Sequence, residues 1–208
     1  MKPSAANFSS LVQAAVKNKP LRVTDLAREF LRPIINRGDR VVDATAGTGQ
    51  DTLFLCQCVG ETGRVFAFDI QLAALQQTRD ILKKNGCDDQ VTLIHQSHEL
   101  MVTTLKAAAV GEQTVKAIMF NLGYLPSGDQ TITTQVESTL AALQGALSLL
   151  TSGGRMTLCL YPGHPEGMLE SQAVIRWCET LEAPFAAHHF HTLNRESPPT
   201  LIIIQRTR

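Results

Sequence analysis

The sequence predicts an α/β fold: a doubly wound, seven-stranded, mainly parallel sheet with helices on both faces and further helices at its N-terminus. Three observations predict it. From residue 40 onward, apolar runs of strand length alternate with helical stretches, the pattern of successive βαβ units. The first run, Arg40-Val41-Val42, passes straight into a glycine turn and then an apolar helix start, Leu53-Phe54-Leu55. The last two runs are joined only by Asn194–Pro199, too short for a crossover helix, so one terminal strand returns antiparallel as a hairpin.

Each element has its own warrant. Helices are expected near Phe8–Lys17 and over Leu21–Asn36, where Leu26, Phe30, Leu31, Ile34 and Ile35 recur at helical spacing before the turn Asn36-Arg37-Gly38-Asp39. Strands are expected at Arg40–Ala44, Arg64–Asp69, Val91–His95, Val115–Phe120, Arg155–Leu160, Phe185–Thr192 and Leu201–Arg206. The intervening helices are Asp51–Val59, Leu72–Asn85, Glu99–Ala109, Thr133–Leu150 and Glu166–Leu181. No repeat or low-complexity linker interrupts the 208 residues, which are read as one domain whose segment 1–39 faces the substrate.

Composition bounds the function. A hydrophobic content of 44% is ordinary for a globular chain, and no apolar run is long enough to span a bilayer or to form a signal-peptide core. Five cysteines without a framework pattern suggest free thiols in a reducing cytoplasm. Cys56 and Cys58 form a lone C-x-C, and His188, His189 and His191 lack a third same-face ligand, so no metal is expected. The 19 basic and 19 acidic residues cancel, but residues 1–40 carry eight Lys or Arg against three acids. A basic face there could meet a phosphate backbone, or could simply be solvated helix surface.

The turn after the first strand, Asp43-Ala44-Thr45-Ala46-Gly47-Thr48-Gly49-Gln50-Asp51-Thr52, carries the strongest chemical signal. Its glycines let a ligand approach the backbone, and the helix start offers free N–H groups. Thr52 stands where a dinucleotide fingerprint needs its third glycine, and no lysine marks a phosphate-binding P-loop. An acid at the strand tip suits an ammonium better than a pyrophosphate. A second acid, Asp69, ends the second strand and suits the hydroxyls of a ribose. S-adenosylmethionine has an ammonium, a sulfonium and a ribose but no phosphate. Asp43 is therefore expected near its aminoacyl end and Asp69 at its ribose; a strand-to-helix turn with two incidental acids is the alternative. Ala44, Thr45, Gly47, Gly49, Gln50, Asp51 and Thr52 complete the expected cofactor turn.

Ligands of such sheets lie beyond the carboxyl ends of the strands. Asp69-Ile70-Gln71 follows the second strand and Gln96-Ser97-His98 the third. Asn121-Leu122-Gly123-Tyr124-Leu125-Pro126 follows the fourth, and Tyr161-Pro162-Gly163-His164-Pro165-Glu166-Gly167 the fifth.

These residues resemble class I S-adenosylmethionine-dependent methyltransferases, with a Rossmann-like sheet, over roughly residues 40 to 208. Taken together, the five strand-tip motifs are similar to those of a small bacterial family long labelled rRNA methylases. That family is associated with methylating the aminomethyl group of 5-aminomethyl-2-thiouridine at the tRNA wobble position (MnmM-type). Thr48 and Gln50 stand where the family often has Asn and His. The resemblance implies that Gln96, Ser97 and His98 flank the adenine, and that Asn121 faces the methyl sulfonium. It also implies the anticodon arm of a tRNA as partner. A homodimer is allowed for, and no membrane partner is expected.

In that setting Asn121 and the carbonyls of Leu122 and Gly123 could orient an amine, and Tyr124 could stack on a base. His164, a residue type that titrates near neutral pH, could accept a proton, bind a phosphate, or cap the following helix. Tyr161 and Asn194, with Pro162 and Gly163 between the strand and His164, are expected on the substrate rim, shaped by Pro198 and Pro199. Two other readings remain open: methylation of rRNA or a small molecule, and a nucleotide-binding module without catalysis.

Overall fold

A computed structural model describes residues 21–123 and 134–207. The expected Phe8–Lys17 helix, Tyr124 and the expected helix start at Thr133 lie outside them. Seven strands form a single sheet: β1 Arg40–Asp43, β2 Arg64–Asp69, β3 Val91–His95, β4 Val115–Leu122, β5 Leu150–Leu160, β6 Phe185–Phe190 and β7 Thr200–Arg206. Six described α-helices accompany them: α1 Val23–Leu31, α2 Gln50–Val59, α3 Leu72–Lys84, α4 Met101–Ala107, α5 Val136–Leu149 and α6 Pro165–Glu179.

The strand order is β3-β2-β1-β4-β5-β7-β6. β1 pairs in parallel with β2 on one side and β4 on the other, so the chain reverses its winding beside the tip of β1. β7 is antiparallel to both β5 and β6, which puts the last strand of the chain inside the sheet and leaves β6 at the edge. The short β6–β7 connection accounts for this, since a two-strand return without a helix can only be antiparallel.

Side-chain alternation along the central strands builds two cores. Ile118, Phe120 and Leu122 of β4 pack with Met101 and Leu105 of α4, Leu143 and Leu147 of α5, and Val174 of α6. Ala117 and Met119, on the opposite face, pack with Leu31 of α1, Leu55 of α2 and Leu82 of α3. Burial of each such Leu, Ile or Phe side chain is worth about 1.5–3 kcal/mol. A strand covered on both faces reads as a continuous apolar run, as Ala117–Phe120 does.

Two boundaries differ from expectation by five residues each, the others by three or fewer. α1 stops at Leu31 rather than Asn36, because Pro33 has no N–H to continue the ladder and its ring crowds the preceding turn; Ile34 N and Ile35 N fall back onto Leu31 O. β5 begins at Leu150, five residues before the expected Arg155. Its extra segment is bulged: register against β4 shifts between Val115 and Ala117, and Gly153 takes φ +71°, a left-handed conformation that glycine accepts without strain.

Candidate active site

The loops after β1 to β5 converge, with α1 and the β6–β7 connection, on a cavity of about 740 Å³. That volume lies in the range of ligand pockets. Its floor is the turn 44–51. Gly47 holds φ +53°, and its N–H donates to Asp69 Oδ2 at 2.9 Å. Asp69 Oδ1 accepts from Gln71 N at 2.8 Å. These two bonds aim the carboxylate across the gap between β1 and β2 and leave each oxygen a lone pair facing the cavity wall it lines.

Beyond β3, Ser97 Oγ caps a short 3₁₀ turn, His98–Leu100, by accepting from Glu99 N. Gln96 Oε1 accepts from Thr104 Oγ1 at 2.6 Å. His98 is buried with its ring edge against Phe120, centroids 5.7 Å apart. Burial pushes its pKa below the ordinary value and keeps the ring neutral. One ring nitrogen bonds the Ala44 backbone, and Nε2 is buried without a partner among the described residues.

At the tip of β4, Asn121 N donates to Thr45 Oγ1 at 2.7 Å, and its side-chain Nδ2 donates to Asp51 Oδ2 at 2.8 Å. An ionised carboxylate only accepts, so it fixes the amide orientation: nitrogen toward Asp51, oxygen away from it. Asn121 Oδ1 is buried and has no hydrogen-bond partner among the described residues, yet Asn121 lines the cavity. A buried acceptor left unpaired costs about 1–3 kcal/mol, a cost an N–H-bearing ligand removes. Asp51 Oδ1 in turn meets Arg28 Nε of α1 at 2.5 Å.

Not every expected residue faces the cavity. Asp43 has 0% exposure and lies beneath the turn. Its Oδ2 accepts from Thr52 Oγ1 at 2.6 Å and its Oδ1 from Thr45 N at 3.2 Å. Burial, reinforced by the Asp51 charge, pushes its pKa up to about 7. Asp43 is thus a strut of the turn with no surface toward an ammonium group, and Thr52 is its partner rather than a wall residue. Gly49 faces α3: a Cβ there would lie 2.7 Å from Ile81 Cγ2 and 2.8 Å from Thr78 Cα. Its glycine serves helix packing and the left-handed turn, not ligand approach. Leu122 is buried in the core, and Pro162 and Asn194 lie off the cavity wall. On the rim, Ser197 and Pro199 stand in Asn194's place.

Ala44, Thr45, Gly47, Gln50, Asp51, Asp69, Ile70 and Gln71 do line the cavity, as do Gln96, Ser97, His98, Asn121, Gly123, Tyr161, Gly163 and His164. Burial raises the Tyr161 phenol above its ordinary value, so it stays protonated. His164 is the N-cap of α6: Nδ1 accepts from Gly167 N at 3.1 Å. With Nδ1 accepting, the neutral ring carries its hydrogen on Nε2 and acts as a donor rather than a base. Exposed Glu166 lies 3.3 Å from the same Nδ1 and gains that bond only when a hydrogen sits on Nδ1, in the other tautomer or in the charged ring.

The sequence reading missed Arg22, Thr24 and Arg28 of the α1 region, and Thr134, Gln135 and Ser138 at the start of α5. The excess of basic residues before position 40 was the one available signal for the first group. For the second, Glu170 of α6, only 2% exposed, accepts from both Thr134 Oγ1 and Thr139 Oγ1 at 2.6 Å. The burial of Glu170 within the expected Glu166–Leu181 helix left no such signal in the sequence.

A sheet reversed beside β1, an acid at the β2 tip holding the glycine turn, and an asparagine at the β4 tip define a class I methyltransferase fold and site. The chain belongs to the "Putative rRNA methylase" family, which it matches over residues 65–206. It is 34% identical over 195 residues to the chloroplastic tRNA (mnm(5)s(2)U34)-methyltransferase of Arabidopsis thaliana, covering 88% of this chain and 69% of that protein. Two solved structures align with it. A "putative rRNA-methylase" from Clostridium thermocellum shares 37% identity at a TM-score of 0.83, over 90% of this chain and 99% of that one. A "putative methyltransferase" from Streptococcus mutans in complex with SAH shares 31% identity at a TM-score of 0.77, with the same coverage.

Proposed function

We propose that the protein is an S-adenosylmethionine-dependent methyltransferase. Its acceptor is the exocyclic amine of a 5-aminomethyl-(2-thio)uridine at the wobble position of tRNA. The observation that carries this reading is Asn121 Oδ1, an unpaired acceptor held on the cavity wall by Asp51. The naming of the plant relative as a U34 methyltransferase supports the RNA target.

The residues present suit the cofactor. Asp69 would accept the two ribose hydroxyls with its spare lone pairs. Neutral His98, with Gln96 and Ser97, would border the adenine. The turn 44–47, which lines the cavity, would hold the remainder. Bound there, S-adenosylmethionine supplies an electrophilic methyl group on a sulfonium.

This chain's residues then handle the amine. An amine with a pKa near 10.4 must lose a proton to solvent before it can attack, which costs roughly 4.6 kcal/mol at pH 7. Desolvation in the cavity favours the neutral form. Asn121 Oδ1 accepts one of its N–H bonds and so turns the lone pair toward the reacting carbon. Alignment of this kind is where positioning yields effective molarities of about 10⁵–10⁸ M. The protonated Tyr161 phenol is a donor on the cavity wall and suits the uridine's carbonyl or phosphate oxygens. Arg22, at the mouth, suits the RNA backbone.

The test is transfer of a radiolabelled methyl group to RNA from cells lacking this gene. Label should appear in tRNA and, after nuclease digestion, in the wobble nucleoside. Label in rRNA, or in neither fraction, overturns the assignment. Asn121→Ala should abolish transfer while SAH still binds, which separates an enzyme from a binding module.

A further inference from the structure

We propose that Arg28 of α1 is a positioning residue for methyl transfer: acting through Asp51, it fixes which end of the Asn121 amide meets the acceptor. The inference rests on the functional reading above and extends it to a helix outside the βαβ frame. Arg28 Nε meets Asp51 Oδ1 at 2.5 Å, and Asp51 Oδ2 accepts from Asn121 Nδ2 at 2.8 Å. Three elements thus meet in one line: α1, the first turn of α2, and the tip of β4. The line ends at the unpaired Asn121 Oδ1. The side chain of Asp51 is 7% exposed and that of Arg28 22%, so the pair is largely out of reach of screening salt.

A primary amide has an accepting end and a donating end. Facing an ionised carboxylate, its nitrogen is forced inward and its oxygen faces the amine. A protonated carboxyl has a hydrogen to give and permits the reverse flip. The amide N–H would then bond the amine's lone pair and block the attack. The carboxylate must therefore be held against the amide nitrogen throughout turnover.

The charged and titratable groups around Asp51 show which one does this. Asp43 of β1 faces it as another acid and opposes its charge. Cys159 of β5 and Tyr161 just beyond it also interact with it, and burial keeps both protonated. Arg22 interacts with it only weakly, being 72% exposed and bonded to Asp25 at 2.9 Å. Asp25 lies 3.7 Å from Arg28 Nη1, on the side away from the cavity chain. The Arg28 guanidinium is the close countercharge.

The experiment compares the wild type with Arg28→Gln, Arg28→Lys and Asp51→Asn. It reads turnover on tRNA lacking the modification, SAH affinity by calorimetry, and the Asn121 side-chain amide signals by NMR, assigned by their loss in Asn121→Ala. In Arg28→Gln, kcat should fall about tenfold, with KM and SAH affinity within about threefold of wild type. The Asn121 amide signals should shift in that variant and return toward their wild-type positions in Arg28→Lys. Arg28→Lys should restore most of the turnover. A loss without rescue by lysine, unmoved amide signals, or a matching loss of SAH affinity overturns the proposal. If Arg28→Gln does not fold, Asp51→Asn decides: a loss of about tenfold, with SAH still bound, is expected, and wild-type turnover overturns. A wild type inactive on this tRNA sinks the functional reading instead, and the amide signals, read without turnover, still judge the relay.

Discussion

Thr52 Oγ1 donates to Asp43 Oδ2 at 2.6 Å, entirely below the surface of the glycine turn. The pair ties the end of β1 to the first turn of α2, and it makes Asp43 a group whose charge is set by the fold. Its carboxyl is raised from an ordinary 3.8 to about 7, first by burial and then by the charge of Asp51. The unfolded chain ionises this group near pH 4, whereas the folded chain resists doing so until about pH 7. The contribution to stability is therefore fully present below about pH 4 and is lost as pH rises through 7. Asp43→Asn, neutral throughout, should gain on the wild type by up to about 4 kcal/mol between pH 4 and 8. Urea midpoints at the two pH values measure the difference. A constant gap between the variants would show that Asp43 carries its charge without cost.

Gly49→Ala probes the same turn from the other side. Its φ of +80° and a Cβ 2.8 Å from the Thr78 backbone leave α3 nowhere to move cheaply. A loss of about 2–3 kcal/mol is expected, from overpacking and left-handed strain together. Because the added methyl points at α3, SAH affinity of the folded fraction should change less than threefold, roughly. Calorimetric titration below the unfolding transition separates the two effects; a large affinity loss with intact stability would place Gly49 against the ligand.

How far the sequence could be read follows from which forces act locally. The order of strands and helices, the hairpin at the end, and the loops that gather at one edge of the sheet are written in apolar periodicity and glycine placement. Asp69, His98 and Asn121 were legible because each lies at or just beyond the carboxyl end of a strand, and strand tips face the crevice. Asp43 satisfies the same rule and yet points down, because the Thr52 hydroxyl nine positions later captures it. Arg28 was illegible as a site residue for a related reason. Periodicity says which face of α1 is apolar, but not which strand tip its polar edge will cross; that is decided by where Ala27 and Leu31 dock among Met119, Cys159 and Leu201.

Asp69 should dominate cofactor affinity. Gly47 N and Gln71 N hold its carboxylate in place, so little ordering cost remains on binding. Two hydroxyls donating to a charged acceptor are worth about 1.5–3 kcal/mol each. Asp69→Ala should accordingly weaken SAH by about 10²-fold or more. Unchanged affinity by calorimetry would move the ribose elsewhere.

Glu170 gives the last prediction, and it concerns the acceptor side of the cavity. One carboxylate, 2% exposed, receives the hydroxyls of Thr134 and Thr139 and so fastens the start of α5 to α6. Thr134 also bonds Gly123 O through its N–H at 3.2 Å, which ties this point to the end of β4. Glu170→Ala removes both acceptors, strands two hydroxyls and opens a void, at a cost of about 3–5 kcal/mol. Glu170→Gln keeps one oxygen, and the threonine facing its amide nitrogen can accept instead of donate. It should cost only about 1 kcal/mol. Thr134 lines the cavity, so a shift there reaches the RNA side before the cofactor side. In Glu170→Gln the KM for RNA should therefore rise several-fold, of the order of 1 kcal/mol in binding, while SAH affinity stays put. Equal effects on both would mean that this clamp supports the whole cavity rather than its acceptor wall.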